Sequence, residues 1–234
     1  QVIGKDILRF HAAIWPGMLL SAGLPLPKSL FVHGFITVEG GKMSKTVGNV
    51  IDPEELVKKY GVDAVRYYLL REVSSHEDGD FSIKKFEDRY NGDLANGIGN
   101  LLARLTTLGE KISPISFNYL EDLDKEIKEL VTQAHENYNQ FISEIKFNDA
   151  LAEIWTLVSK ADKYINDKKP WAEKDEKVFK EIILNASYLL HQTASLLKPF
   201  LPETAEKILA RVDFNNQEKQ LTLAKGDHLF SRLD

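Results

Sequence analysis

The chain has 234 residues, 43% of them hydrophobic and 28% charged, and no cysteine, so disulfides and thiolate-bound metals are excluded and no apolar run is long enough to span a membrane. Its formal net charge of -5 argues against sequence-blind nucleic-acid binding driven by charge, while leaving room for a local basic face that reads one folded RNA. The lack of cysteine fits a reducing, cytoplasmic location; the opening residues, Gln1 to Asp6, carry no signal-peptide pattern and lack an initiator Met, so a truncated chain is the expectation.

In chain order, Ile7, Phe10, His11, Ile14 and Trp15 recur at helical spacing, with Pro16-Gly17 as the expected bend or break. Leu24-Pro25-Leu26-Pro27 reads as a connection. Residues 30–38 form one β-rich run that ends in a Gly40-Gly41 turn. Asp52 is a candidate N-cap, with Pro53 at the first helical position, Glu55 closing a capping box and Gly61 ending the helix. A second helix starts at Asp63 and is broken by the polar stretch Ser74 to Asp80. From Ser82 onward the pattern predicts helices over 82–109, 120–147, 149–167, 171–197 and 202–212. The predicted breaks are Ser113-Pro114, Phe147-Asn148, Lys169-Pro170, Pro199 and Pro202. Short links between such helices predict an antiparallel bundle. The tail from Asn215 reads as polar and irregular, with Leu229-Phe230 as a docking point.

Lys42-Met43-Ser44-Lys45-Thr46 follows the strand and its glycine turn. Two ammonium groups three residues apart on a mobile loop can converge on phosphate oxygens, and Ser44 and Thr46 add hydroxyl donors. Lysines that meet the charge building on a departing pyrophosphate stabilise the transition state more than the ground state. Taken alone, such a string is more often a solvated surface turn.

The string does not stand alone. It resembles the Lys-Met-Ser-Lys-Ser signature of class I aminoacyl-tRNA synthetases, with Thr46 keeping the hydroxyl of the final Ser. Phe31-Val32-His33-Gly34 before it, Gly48-Asn49-Val50-Ile51-Asp52-Pro53 after it and Asp63-Ala64-Val65-Arg66-Tyr67-Tyr68-Leu69-Leu70 beyond are similar to the Leu/Ile/Val/Met/Cys subclass. Gly4-Lys5-Asp6-Ile7, Phe10-His11 with Trp15, and Arg71-Glu72 with Asp78-Gly79-Asp80-Phe81-Ser82 resemble the methionyl-tRNA synthetases in particular, most strongly over residues 4–104.

That resemblance implies a methionine pocket formed by Ile7, Phe10, His11 and Trp15, where sulfur–aromatic contacts are worth about 0.3–1.5 kcal/mol each. From the residues alone, the same quartet is also a plain core helix. His33 and Gly34 would lie against the adenosine of ATP, the missing side chain of Gly34 letting a ligand approach the backbone. Without the resemblance they are a satisfied strand histidine and a bulge glycine. Met43, Ser44, Lys45 and Thr46 complete the implied ATP site, with Lys42 and Lys45 as its catalytic pair.

Further on, Leu94, Ile98, Leu101, Leu105 and Leu108 form one apolar stripe, and Asn96, Asn100 and Arg104 recur every four residues on the opposite flank. Gly97 and Gly99 each cost about 1 kcal/mol against Ala in a helix, so some close approach is expected there. Asn100 and Arg104 match the pair with which the family reads the anticodon, and amide and guanidinium groups suit unstacked base edges. The bland alternative is a solvated polar face. Trp171, after Lys168-Lys169-Pro170, matches a tryptophan that stacks on the first anticodon base, a contact worth about 1–3 kcal/mol; a packed tryptophan at a helix start is the alternative.

The fold expected is mainly α: the C-terminal remnant of a Rossmann-like α/β catalytic domain over 1–61, a connecting stem-contact region over 62–88, and a helical-bundle anticodon-binding domain over 89–234. The resemblance implies a methionine–tRNA ligase using L-methionine, ATP with Mg2+ as a substrate complex, and the methionine tRNA with its CAU anticodon, with no metal site in this chain. The second class I signature, His-x-Gly-His, is not in the sequence, so an absent N-terminal half is an expected partner and the chain by itself is expected to be inactive. The competing expectations are another synthetase of the same subclass and a noncatalytic helical tRNA-binding module.

Overall fold

The computed structural model describes residues 3–44, 46, 48–118 and 121–233, so Lys45 lies outside the described residues. The mainly-α class holds, with small sheets at the start and end of the chain.

β1 (Ile3–Gly4) pairs in parallel with β2 (Val32–His33), setting Gly4 beside His33. Between them a helical run passes from a 3-10 turn at Lys5–Ile7 through a π turn at Phe10–Ile14 into α1 (Trp15–Ser21). The expected break at Pro16-Gly17 does not occur. The Trp15 N–H bonds back to the Phe10 carbonyl, so the ladder changes register just before Pro16, where a missing donor costs least.

The run 30–38 is not one strand. It divides at Gly34-Phe35 into β2 and β3 (Ile36–Val38), because the Asp78 carboxylate captures the Phe35 N–H at 2.7 Å. β3 is the centre of a three-stranded sheet, antiparallel to β4 (Gly41–Lys42) and parallel to β5 (Gly79–Phe81). The turn between β3 and β4 is Glu39-Gly40 rather than Gly40-Gly41. Both residues have positive φ, 51° and 75°, as a two-residue hairpin of matching twist requires. The Asp80 carboxylate holds this turn by accepting from the Gly40 N–H at 2.7 Å and the Thr37 hydroxyl at 2.8 Å. The polar stretch 74–80 thus ends in a strand that its polar composition concealed.

α2 (Pro53–Tyr60) is capped by Asp52, which accepts from the Glu54 N–H at 2.8 Å, and α3 (Val62–Glu72) follows after Gly61. α4 (Ile83–Arg89), a π-helix over Tyr90–Gly99 and α5 (Asn100–Gly109) form one continuous rod. α6 (Lys125–Ser143), α7 (Phe147–Lys168), α8 (Glu176–Leu197) and α9 (Pro202–Arg211) complete the bundle. Three boundaries differ from the pattern, the first being the start of α6 at Lys125 rather than at 120. The break before α7 falls at residues 144–146, with Ile145 at φ 58°, rather than at Phe147-Asn148. α8 begins at Glu176, because Pro170–Ala172 forms a separate 3-10 turn and Asp175 supplies the cap.

The tail is irregular only beyond Leu223. β7 (Val212–Asn215) and β8 (Gln220–Leu223) form a hairpin, and β6 (Ile115–Ser116) pairs with β8 on its other side. Val212, Phe214, Leu221 and Leu223 alternate inward and are buried. Leu229 and Phe230 do dock, the Phe230 ring meeting Tyr90 edge-on at 5.7 Å.

One apolar cluster runs from Val38 to Leu223, so the sheet end and the bundle share a core. α3 is latched to the α8–α9 corner. Arg66 donates to the carbonyls of Phe200 at 2.7 Å and Pro199 at 2.8 Å, while the buried Asp63 carboxylate accepts from the Thr204 N–H at 2.7 Å.

Candidate functional site

The sheet end carries the first group of residues singled out from the sequence. Lys42 ends β4 and is exposed. The loop beyond it is tied at its base by Asn49, which the sequence reading did not single out. Its side chain accepts from the Ser44 N–H at 2.9 Å and donates to the Lys42 carbonyl at 3.2 Å. Within the loop, the Thr46 N–H donates to the Ser44 hydroxyl at 3.2 Å and the Gly48 N–H to the Ser44 carbonyl at 3.0 Å. Met43 is half-buried against the core, which anchors the loop from below while Thr46 stands in solvent. The Lys42–Lys45 pairing lies outside the described residues on the Lys45 side.

His33 is exposed, with Nδ1 2.8 Å from the Gly34 carbonyl. Gly34 also has a reason of the chain's own for being glycine: a Cβ there would sit 2.2 Å from the Glu77 carbonyl oxygen. The chain's own backbone occupies that space. Asp78, next along, bonds Lys5 at 2.6 Å and the Phe35 N–H. The Lys5 ammonium, with the Phe35 amide second, holds the Asp78 carboxyl below the usual range. The same contacts tie the start of the helical run to the strand that carries His33.

That run, residues 5–21, buries none of its side chains. Phe10 is 57% and Met18 65% exposed, and Ile7 and Ile14 are exposed with them. His11 and Trp15 meet edge-on, ring centres 6.3 Å apart. Within this chain, then, the run takes no part in the core. The apolar face stands open.

The second group lies on the bundle, along the rod and α7. Leu94, Ile98, Leu101 and Leu105 are buried, and Asn96 and Asn100 are exposed on the other flank, as the periodicity predicts. The close approach expected at Gly97 and Gly99 is to the rod itself. A Cβ on Gly99 would lie 2.9 Å from the Leu94 carbonyl, and one on Gly97 3.3 Å from that of Gly92, five residues back in each case. The wider π turn brings those carbonyls inward.

Lys169, left-handed at φ 47°, ends α7, and the 3-10 turn after it sets Trp171 outward, 56% exposed. A packed tryptophan would not be. The Arg104 guanidinium lies 5.8 Å from the indole centre. With Ala103, Thr107 and Leu108 the two line an open cleft of about 360 Å3. Arg104 is also bonded to Asp162 and Asn166 on α7, two residues the sequence reading missed. Their spacing of four, just ahead of Pro170-Trp171, was the available signal.

The family described as "tRNA synthetases class I (M)" matches residues 1–106, and "Anticodon-binding domain of tRNA ligase" matches residues 124–227. The chain is 40% identical to the methionine–tRNA ligase of Caldanaerobacter subterraneus subsp. tengcongensis and 37% identical to that of Thermotoga maritima, in each case over all of this chain. It spans 40% of the length of each of these relatives. A solved structure of Mycobacterium tuberculosis methionyl-tRNA synthetase in complex with methionyl-adenylate superposes with a TM-score of 0.88 at 34% identity, covering 99% of this chain and 49% of that one.

Proposed function

The chain belongs to the methionyl-tRNA synthetase family, and from that premise we propose that it supplies the nucleotide-closing loop and the anticodon-reading face of a methionine–tRNA ligase. We assign residues 1–61 to the catalytic domain, 62–88 to the connecting region and 89–234 to anticodon binding. In this reading Ile7, Phe10, His11 and Trp15 line the methionine pocket, and His33 and Gly34 border the adenosine. Lys42, Met43, Ser44, Lys45 and Thr46 close over the phosphates of ATP, which enters as its Mg2+ complex. A methionine carboxylate oxygen bonds to the α-phosphorus, the bond to the bridging oxygen breaks, and pyrophosphate leaves toward Lys42 and Lys45. The open apolar face of residues 7–18 supports the pocket, since a thioether needs apolar walls and these residues are not spent on the chain's own core. The cytoplasm is the compartment that fits this role.

The observation that carries the reading is the exposed Trp171 indole beside Arg104, on the flank that also bears Asn96 and Asn100. A base stacked on Trp171 comes within reach of the guanidinium and of the amides. The test is binding of a CAU-anticodon stem-loop to this chain. Removing a stacking platform worth about 1–3 kcal/mol, Trp171→Ala should weaken binding roughly 5- to 150-fold. Arg104→Ala should weaken it too and blur preference at the base it contacts. If neither substitution changes affinity, the anticodon assignment is wrong. The chain by itself should not catalyse methionine-dependent ATP–pyrophosphate exchange, and robust exchange would refute the expectation that the rest of the enzyme is needed.

A further inference from the structure

Arg104 does not reach Trp171 as a free side chain. Its Nη1 donates to Asp162 Oδ1 at 2.5 Å and its Nη2 to Asn166 Oδ1 at 2.7 Å, while Asn166 Nδ2 donates to Asp162 Oδ2 at 2.9 Å. The three side chains close a ring. Asp162 and Asn166 are one helical turn apart on α7 and Arg104 is on α5, so the ring clamps the guanidinium between two rigid helices. The ring uses two of the guanidinium's N–H-bearing nitrogens, and Arg104 still lines the cleft beside the indole.

Two considerations indicate what the ring is for. The pair is partly exposed, at 28% for the Arg104 side chain and 42% for Asp162, and ion pairs at such exposure add little to fold stability. A carboxylate on a face that meets RNA also repels phosphates, so on charge alone Asp162 opposes binding. A residue that does little for the fold and works against electrostatic attraction needs another benefit. Presetting an arginine supplies one, because an arginine ordered before binding loses less rotamer freedom when a base arrives.

We propose that Asp162 is a positioning residue that presets Arg104 for the base stacked on Trp171, with Asn166 completing the clamp. The proposal rests on the anticodon reading above and makes a prediction opposite in sign to simple electrostatics. In the test, affinity for a CAU stem-loop and for one altered at its first anticodon base is measured for the unsubstituted chain and for Asp162→Ala, Asp162→Asn, Arg104→Ala and the Asp162→Ala/Arg104→Ala double variant. A denaturant midpoint for each checks folding.

Asp162→Ala should weaken CAU binding about tenfold, the scale of a lost hydrogen bond to a charged group, and narrow the gap between the two stem-loops. Asp162→Asn, which keeps an acceptor, should lose less. In the Arg104→Ala background, Asp162→Ala should cause no further loss, an outcome a merely structural role would not produce. Tighter binding by Asp162→Ala, an unchanged preference, or an equal loss with and without Arg104 would each overturn the proposal. If Arg104→Ala and Trp171→Ala weaken binding but Asp162→Ala does not, positioning alone fails. If none of them matters, the anticodon reading fails with it.

Discussion

The exposed Trp171 indole and the Arg104 guanidinium 5.8 Å from its centre are the two groups on which the anticodon assignment stands. Trp171 is legible as a candidate only through its match to the family's stacking tryptophan, and the structure places it in solvent rather than packed at a helix start. Gly34 was legible as a position without room, yet its neighbour is the Glu77 carbonyl, 43 residues along the chain, which no local pattern announces. Asp162 and Asn166 were overlooked because i, i+4 polar pairs are common on helix surfaces and only the contact with Arg104 distinguishes this one. His191 was likewise unremarkable in sequence. Burial, with Lys198 nearby, depresses its pKa below 6.5 against the opposing pull of Asp213, and its Nδ1 has no hydrogen-bond partner among the described residues. The unfolded chain therefore binds this proton first. Stability should fall as pH drops below about 6.5 toward the lower folded value, and hold level above it, as far as this group is concerned. His191→Gln should flatten that part of a stability-against-pH curve measured by urea unfolding. An unchanged slope would mean that the imidazole is not the group responsible.

Helices were the most legible elements, since each of the long bundle helices carries an apolar stripe at the right period. The misses have physical causes. The β7–β8 hairpin strands have only four residues each, too few for alternation to stand out beside the polar turn between them. β5 hides in a polar stretch because its pairing to β3 and the work of Asp80 depend on residues 40 positions away. The π-helix at Tyr90–Gly99 shares its periodicity nearly enough with an α-helix that only its glycines mark it. The lysine loop is the opposite case. Its motif was plain, but the device that fixes its base, Asn49, was not. Asn49→Ala should free the Ser44 amide, raising its hydrogen-exchange rate by roughly tenfold or more without lowering the global unfolding midpoint by much. If Ser44 exchange stays as slow as before, the side-chain tie does not order the loop.

At the scale of the whole molecule, the two matched families meet in one core rather than as beads on a linker. Nothing in the sequence pattern of Asp63 and Arg66 predicts that they serve α8 and α9, since their partners lie more than 130 residues away. Removing the Asp63 carboxylate leaves the buried Thr204 amide without its acceptor, so Asp63→Ala should cost about 1–3 kcal/mol in denaturant unfolding. Asp63→Asn, which retains an acceptor, should cost less. Equal stability of both variants to the unsubstituted protein would show the contact to be incidental.

The latch also bears on how hybrids of related enzymes could be spliced. A chimera joined after residue 106 would combine one parent's α3 with the other's corner between α8 and α9. Unless the donor happened to offer both an acid and a guanidinium in register, the graft would orphan the carbonyls of Pro199 and Phe200 and the amide of Thr204. The natural seam for such exchanges lies ahead of Val62, so that the helix travels with the bundle it clasps.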